Sequence, residues 1–135
     1  MLPFKPDHRY QSFWRNFRLG RFAEACTVLQ PLTGECVPQD RSFYQGLQQV
    51  ADSLHHLNLG DMESADSKAR VAGSGLEPFG SSYRGVQLQS LLMGLSSCLE
   101  DARQSLDENG RIASLRPRIP RVDLAFGLDP EGTSD

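Results

Sequence analysis

Two stretches of the chain, 18–25 (RLGRFAEA) and 58–65 (NLGDMESA), align at an offset of 40. Leu19, Gly20, Phe22 and Ala25 then fall on Leu59, Gly60, Met62 and Ala65. In both copies an apolar pattern of helical spacing ends at Leu-Gly, and a new one starts on an aromatic residue or a methionine. Glycine is the residue that closes a helix, because it takes the left-handed conformation after the last turn without steric penalty. Each copy therefore reads as the corner of an antiparallel helical hairpin. Neither hairpin can bury its apolar face alone, so the two must pack on each other. The corner also resembles that of tetratricopeptide repeats. The spacing differs from the ~34 residues of that repeat, however, and two copies fall short of the usual three or more.

The rest of the chain fits this frame. Asp7 is placed to cap a first helix whose face is Tyr10, Phe13, Trp14 and Phe17. A second helix carries Phe22, Ala25, Leu29 and Leu32, and Pro31, Gly34 and Pro38 break the pattern after it. Asp40 is expected to cap a third helix to about Leu59, with Phe43, Leu47, Val50, Ala51, Leu54 and Leu57 as its stripe. A fourth starts near Asp61 and presents Met62, Ala65, Ala69 and Ala72, before a connection of glycine, serine and proline over 73–85. The fifth, from about Val86 to Leu106, keeps Leu88, Leu91, Leu92, Leu95, Leu99, Ala102 and Leu106 in register. The expected fold is all-α: a five-helix bundle of two helical hairpins plus a C-terminal helix over residues 1–110. An extended tail over 111–135 is expected to pack back at 117–126 through Ile119, Val122 and Phe126, and to fray after 127.

Charge is uneven along the chain. Residues 1–21 hold five bases against Asp7, residues 111–121 hold Arg111, Arg116, Arg118 and Arg121 with no acid, and 22–110 hold twelve acids and five bases. The arginines are expected to pair with the acidic helices. No apolar run approaches the ~18 residues of a membrane span, and no apolar stretch marks the N-terminus for export. An odd set of cysteines (Cys26, Cys36, Cys98) without CxxC spacing points to reduced thiols in a cytoplasm.

Residues 17–78 resemble a small all-helical family of bacteria and archaea, the domain of unknown function 309 family. The resemblance is carried by GRFAEACTVLQ, by RSFYQGLQQVADSLHHLNLGD, and by the following helix up to LEPF. It implies the same order of helices. The family's second helix carries a Glu-x-His-Glu, a later Glu and a Trp. Here Glu24 keeps the first position, whereas Cys26, Thr27, Gln30 and Thr33 stand at or near the others. The resemblance thus implies a fold and a polar position at Glu24, and names no activity.

Gln45, Gln49, Asp52 and His56 recur at spacings of 4, 3 and 4, a polar stripe on the third helix. The stripe can face water, form a buried network that sets helix register, or face Glu24 and Cys26 across a cleft. A metal site needs three or four converging ligands, and the adjacent His55 and His56 point ~100° apart on a helix. No Walker loop, dinucleotide glycine motif or nucleophile elbow is present. The sequence therefore supports no catalytic residue, metal or cofactor. It supports a binding or scaffold module with Glu24, Gln45, Gln49, Asp52 and His56 as ligand contacts, the partner being a protein or a small polar ligand. The alternatives are a metal-dependent hydrolase using the same cluster and weak nucleic-acid binding through Arg116 and Arg118. A homodimer seam and a core stripe look alike on the fifth helix, and both stay open.

Overall fold

Asp7 opens the first helix by accepting the Arg9 amide on its carboxylate at 2.7 Å. In the computed structural model, which describes residues 7–113 and 118–126, α1 (His8–Arg18) and α2 (Phe22–Glu35) form the first hairpin. The second hairpin is α3 (Pro38–Asn58) and α4 (Met62–Leu76), and α5 (Leu88–Arg103) packs against α4 and α3. The fold is an all-α bundle. Expectations for 1–6, for Arg116 and Pro117, and for 127 onward lie outside the described residues.

The two corners are the same structure built twice. Leu19 (φ −87°, ψ 0°) and Leu59 (φ −92°, ψ −3°) end their helices, and Gly20 and Gly60 follow at φ +78° and +91°. The amide of Arg21 donates to Asn16 O at 2.8 Å and that of Asp61 to His56 O at 2.9 Å. Gly20 and Gly60 donate to Phe17 O and Leu57 O, each at 3.0 Å. These paired bonds form the Schellman closure, which satisfies carbonyls that a helix end leaves without partners. Past the corners, Ala25 and Ala65 are fully buried and let the second arm approach the first.

The core is aromatic at one end and aliphatic at the other. Tyr10, Phe13, Trp14 and Phe17 are all buried, and Tyr10 meets Phe43 and Tyr44 of α3 edge-on or tilted. The whole expected stripe of α3 is buried.

Several boundaries differ from the expectation. Pro31 does not stop α2, which runs on to Glu35. Pro31 itself is exposed, and the buried Leu29, Leu32 and Thr33 around it hold the last turn in place despite the missing amide. Asp40 is not the cap of α3. Pro38 starts that helix, where its fixed φ and absent N–H are costless, and Asp40 sits in the first turn at 4% exposure. The connection expected over 73–85 is helical as far as Leu76, because α3 and α4 cross closely at Gly46. A methyl group built there would lie 2.7 Å from Leu76 Cγ, so Leu76 fills the space that Gly46 leaves.

After a single 3₁₀ turn (Glu77–Phe79) comes an unexpected antiparallel pair, β1 (Ser82–Tyr83) and β2 (Val86–Gln87). Arg84 (φ +48°) and Gly85 (φ +78°) between them have the positive φ values of a type I′ turn. Asp40 anchors this hairpin through the Tyr83 hydroxyl and through Arg84 Nη2 at 2.6 Å, while Tyr10 donates to Arg84 O at 2.9 Å. Helix α5 stops at Arg103, short of Leu106. The Asp107 carboxylate accepts the amides of Asn109 and Arg111 and turns the chain there instead.

Residues 118–126 lie back across the bundle. Arg118, Pro120 and Val122 face inward, and Ile119 is 42% exposed, which corrects the expectation that Ile119 buries. The inward place belongs to the arginine, because Asp101 accepts its Nε at 2.7 Å and Asn58 bonds both its amide and its carbonyl. Farther on, Ala125 donates to Gly85 O at 2.7 Å and Gln87 to Asp123 O at 3.1 Å, so the segment runs beside β2.

Candidate functional site

Helices α2, α3 and α4 leave an open cleft of about 360 Å³ between them. It is lined by Gln30 and Thr33 of α2, by Ser42, Gln45, Gly46, Gln48 and Gln49 of α3, and by Val71 and Gly75 of α4. Every polar side chain in it is an amide or a hydroxyl, so neither an acid nor a base is available within the cleft.

Gln48 organises one wall. Its Nε2 donates to Cys26 O at 3.1 Å and to Gln30 Oε1 at 2.8 Å, while Cys26 Sγ donates back to Gln48 O at 3.2 Å. Both hydrogens of that amide are committed, and the Gln30 oxygen is engaged with them. Gln49 is different. Its Oε1 is shut away from solvent and accepts no hydrogen bond among the described residues. An unsatisfied buried acceptor is costly, of the order of 1–3 kcal/mol, and natural folds retain few of them.

The sequence stripe divides here. Gln45 and Gln49 are at the cleft. Asp52 and His56 lie one and two turns farther along α3, outside its lining, in a ladder of polar contacts. Asp52 pairs with Lys68 at 3.1 Å and with His56 Nε2 at 3.5 Å, and His56 Nδ1 lies 3.8 Å from Asp61. The Ser64 amide bonded to Asp61 holds that carboxyl below its usual range. Glu24 is not brought to this group: it is exposed and lines a separate apolar dent with Ala23, Thr27 and Val28. No family model, curated protein or solved structure matches the chain.

The Cys26 thiol, bonded to Gln48 O behind the cleft wall, is not a nucleophile at neutral pH. Burial, aided by the Asp52 charge, pushes Cys26 up to about 12, so it stays protonated. Burial raises Cys98 as well. Among the described residues no three His, Cys, Asp or Glu side chains gather as a metal site would require, and no helix is long and apolar enough to cross a membrane.

Gln30, Gln48, Thr33 and Ser42 belong to the site although the stripe on α3 did not name them. For α2 a signal existed: Cys26, Gln30 and Thr33 recur at spacings of 4 and 3, the polar counterpart of the Phe22–Ala25–Leu29–Leu32 face.

Proposed function

We propose that this chain is a non-catalytic binding module that takes an uncharged, hydrogen-bonding ligand in the cleft between α2, α3 and α4. The observation that carries the reading is the cleft itself, about 360 Å³, lined by amide and hydroxyl side chains with no acid or base among them. The fixed Gln48–Gln30 pair supports it, since polar groups already held in place lose little freedom on binding. The protonated Cys26 and the Asp52 carboxylate paired with Lys68 favour recognition over chemistry. Three free thiols support a reducing cytoplasm as the compartment. We also propose membership of the domain of unknown function 309 family, supported by the sequence resemblance over 17–78 and by the order of helices there.

The test is fragment mapping by nuclear magnetic resonance. Neutral polar fragments should shift the amides of Gln30, Gln45, Gln48, Gln49 and Gly75, and Gln45→Leu, at an exposed lining position, should weaken the response. Hits gathered elsewhere on the surface, with the cleft silent, refute the reading.

A further inference from the structure

The two hairpin corners share a feature that the fold itself does not use. Leu19 and Leu59 end α1 and α3 in ordinary helical conformation, where many residues fit, yet both are leucine and both are exposed, at 55% and 64%. Among the described residues seven large apolar side chains are exposed. Four of them, Leu19, Leu59, Leu106 and Ile119, lie at the end of the bundle where the corners are. Ile119 joins the corners into one row. Its Cδ1 lies 3.0 Å from the place of a methyl on Gly20, and its neighbour Arg118 is bonded to Asn58, beside Leu59. Apolar side chains scattered singly over a surface are ordinary, whereas a gathered set marks an interaction site.

We propose that this end binds a second copy of the chain, with the first corner of each copy set against the second corner of the other. Charge selects that partner. The corners have the same backbone but opposite signs: residues 15–21 hold Arg15, Arg18 and Arg21 and no acid, whereas 58–63 hold Asp61 and Glu63 and no base. Arg21 and Asp61 stand at the same position, directly after the glycine, and both are exposed. The turn beside the second corner adds to its negative charge, since Asp107 and Glu108 outnumber Arg111 there. A two-fold axis through the Ile119 row therefore sets Leu19 on Leu59 and Arg21 opposite Asp61, twice. Such a surface is complementary to itself, as a closed dimer requires. An anionic membrane or a nucleic acid would instead be repelled by Asp61, Glu63 and Glu108. The α5 stripe does not compete for this role, because Leu88, Leu91, Leu95, Leu99 and Ala102 are buried in the core. A contact built on three apolar side chains and their charged flanks falls below the ~1,200 Å² of stable complexes, so the expected dissociation constant is on the order of 100 µM.

Sedimentation equilibrium of the full-length chain, from about 5 µM to about 1 mM at low salt, tests this. Leu19→Ser/Leu59→Ser should weaken association at least tenfold and leave the melting temperature of the dilute monomer unchanged, since both side chains are exposed. Charge reversal gives the deciding arm. Arg18→Glu/Arg21→Glu makes both corners negative. Asp61→Asn/Glu63→Lys makes the second corner positive, with asparagine retaining the cap of α4. Each variant alone should stay monomeric, and their equimolar mixture should form a mixed dimer in which every corner meets its opposite. A wild-type chain that stays monomeric throughout, association that survives Leu19→Ser/Leu59→Ser, or a mixture that fails to associate overturns the proposal. So does a monomeric wild-type chain that binds phosphatidylserine vesicles through the same leucines, which would make a lipid surface the occupant.

Discussion

Substituting Gly46 by alanine tests the crossing of α3 and α4 through its sign. In an isolated helix the change gains ~1 kcal/mol, because glycine is the poorer helix former. At this position the new methyl would lie 2.7 Å from both Cγ and Cδ2 of Leu76, a contact that real Cβ atoms essentially never make. Leu76 is fully buried and cannot swing into solvent. Overpacking of this kind costs ~1–3 kcal/mol, so the crossing should win and Gly46→Ala should be destabilising by about 1 kcal/mol. Gly73, on the same α4 helix, has nothing within 4 Å of its hypothetical methyl, so Gly73→Ala should gain up to ~1 kcal/mol. Urea unfolding followed by helical circular dichroism measures both, with melting shifts of opposite sign and roughly 3–5 °C each. Leu76→Ala alone should cost ~2–5 kcal/mol by opening a cavity. Added to Gly46→Ala it should cost less, because the new methyl occupies part of that space. If Gly46→Ala stabilises as Gly73→Ala does, or if the Gly46 and Leu76 changes add within ~0.5 kcal/mol, the close crossing is wrong.

Two further outcomes follow from the charged contacts. Asp40→Ala removes a buried carboxylate from Tyr83 and Arg84; with Arg84 about a third exposed, the loss should be ~2–3 kcal/mol, and an Asp40–Arg84 double-mutant cycle should show coupling near 1 kcal/mol. A loss below ~0.5 kcal/mol would mean that Asp40 does not anchor the hairpin. Asp7 is held below the usual carboxylate range by its bond to the Arg9 side chain, and Asp61 by the Ser64 amide. A folded-state value below the unfolded one gives stability that is present above about pH 4 and is lost as pH falls through the lower value. Urea midpoints from pH 6 to pH 2 should therefore fall, and fall less in Asp61→Asn; equal slopes would remove Asp61 from the account.

The helices were legible because period and punctuation agreed. Tyr10 to Phe17, Phe43 to Leu57 and Leu88 to Ala102 repeat at helical spacing, and Gly20 and Gly60 close helices as glycine does. What misled were local signals overruled by packing: Pro31 inside α2, and Gly73 and Gly75 inside α4, are carried by buried Leu32 and Leu76. The small hairpin at 82–87 was hidden because a type I′ turn is usually announced by Asn-Gly, and Arg84 carries no such mark. Its conformation is held from afar by Asp40 and Tyr10, which spacing along the chain does not reveal. Within the site, Gln45 and Gln49 were visible as a stripe. That Glu24 faces away, and that Gln30 and Gln48 join the cleft, depends on how α2 rotates against α3. The buried Ala25, Leu29 and Leu32 face of α2 sets that rotation together with the Cys26–Gln48 exchange of hydrogen bonds.

The segment 118–126 also has a consequence for how the protein is made. Both helical hairpins close through neighbours in the chain and can assemble early, whereas the ring of Tyr10 meets Phe126, and the second edge of β2 meets Leu124, only after residues 124–126 have been made. Until then a nascent chain leaving the ribosome carries a bare strand edge at Gly85–Gln87, which other unfinished chains can pair with. The window for misassembly therefore closes when residues 123–125 settle beside β2.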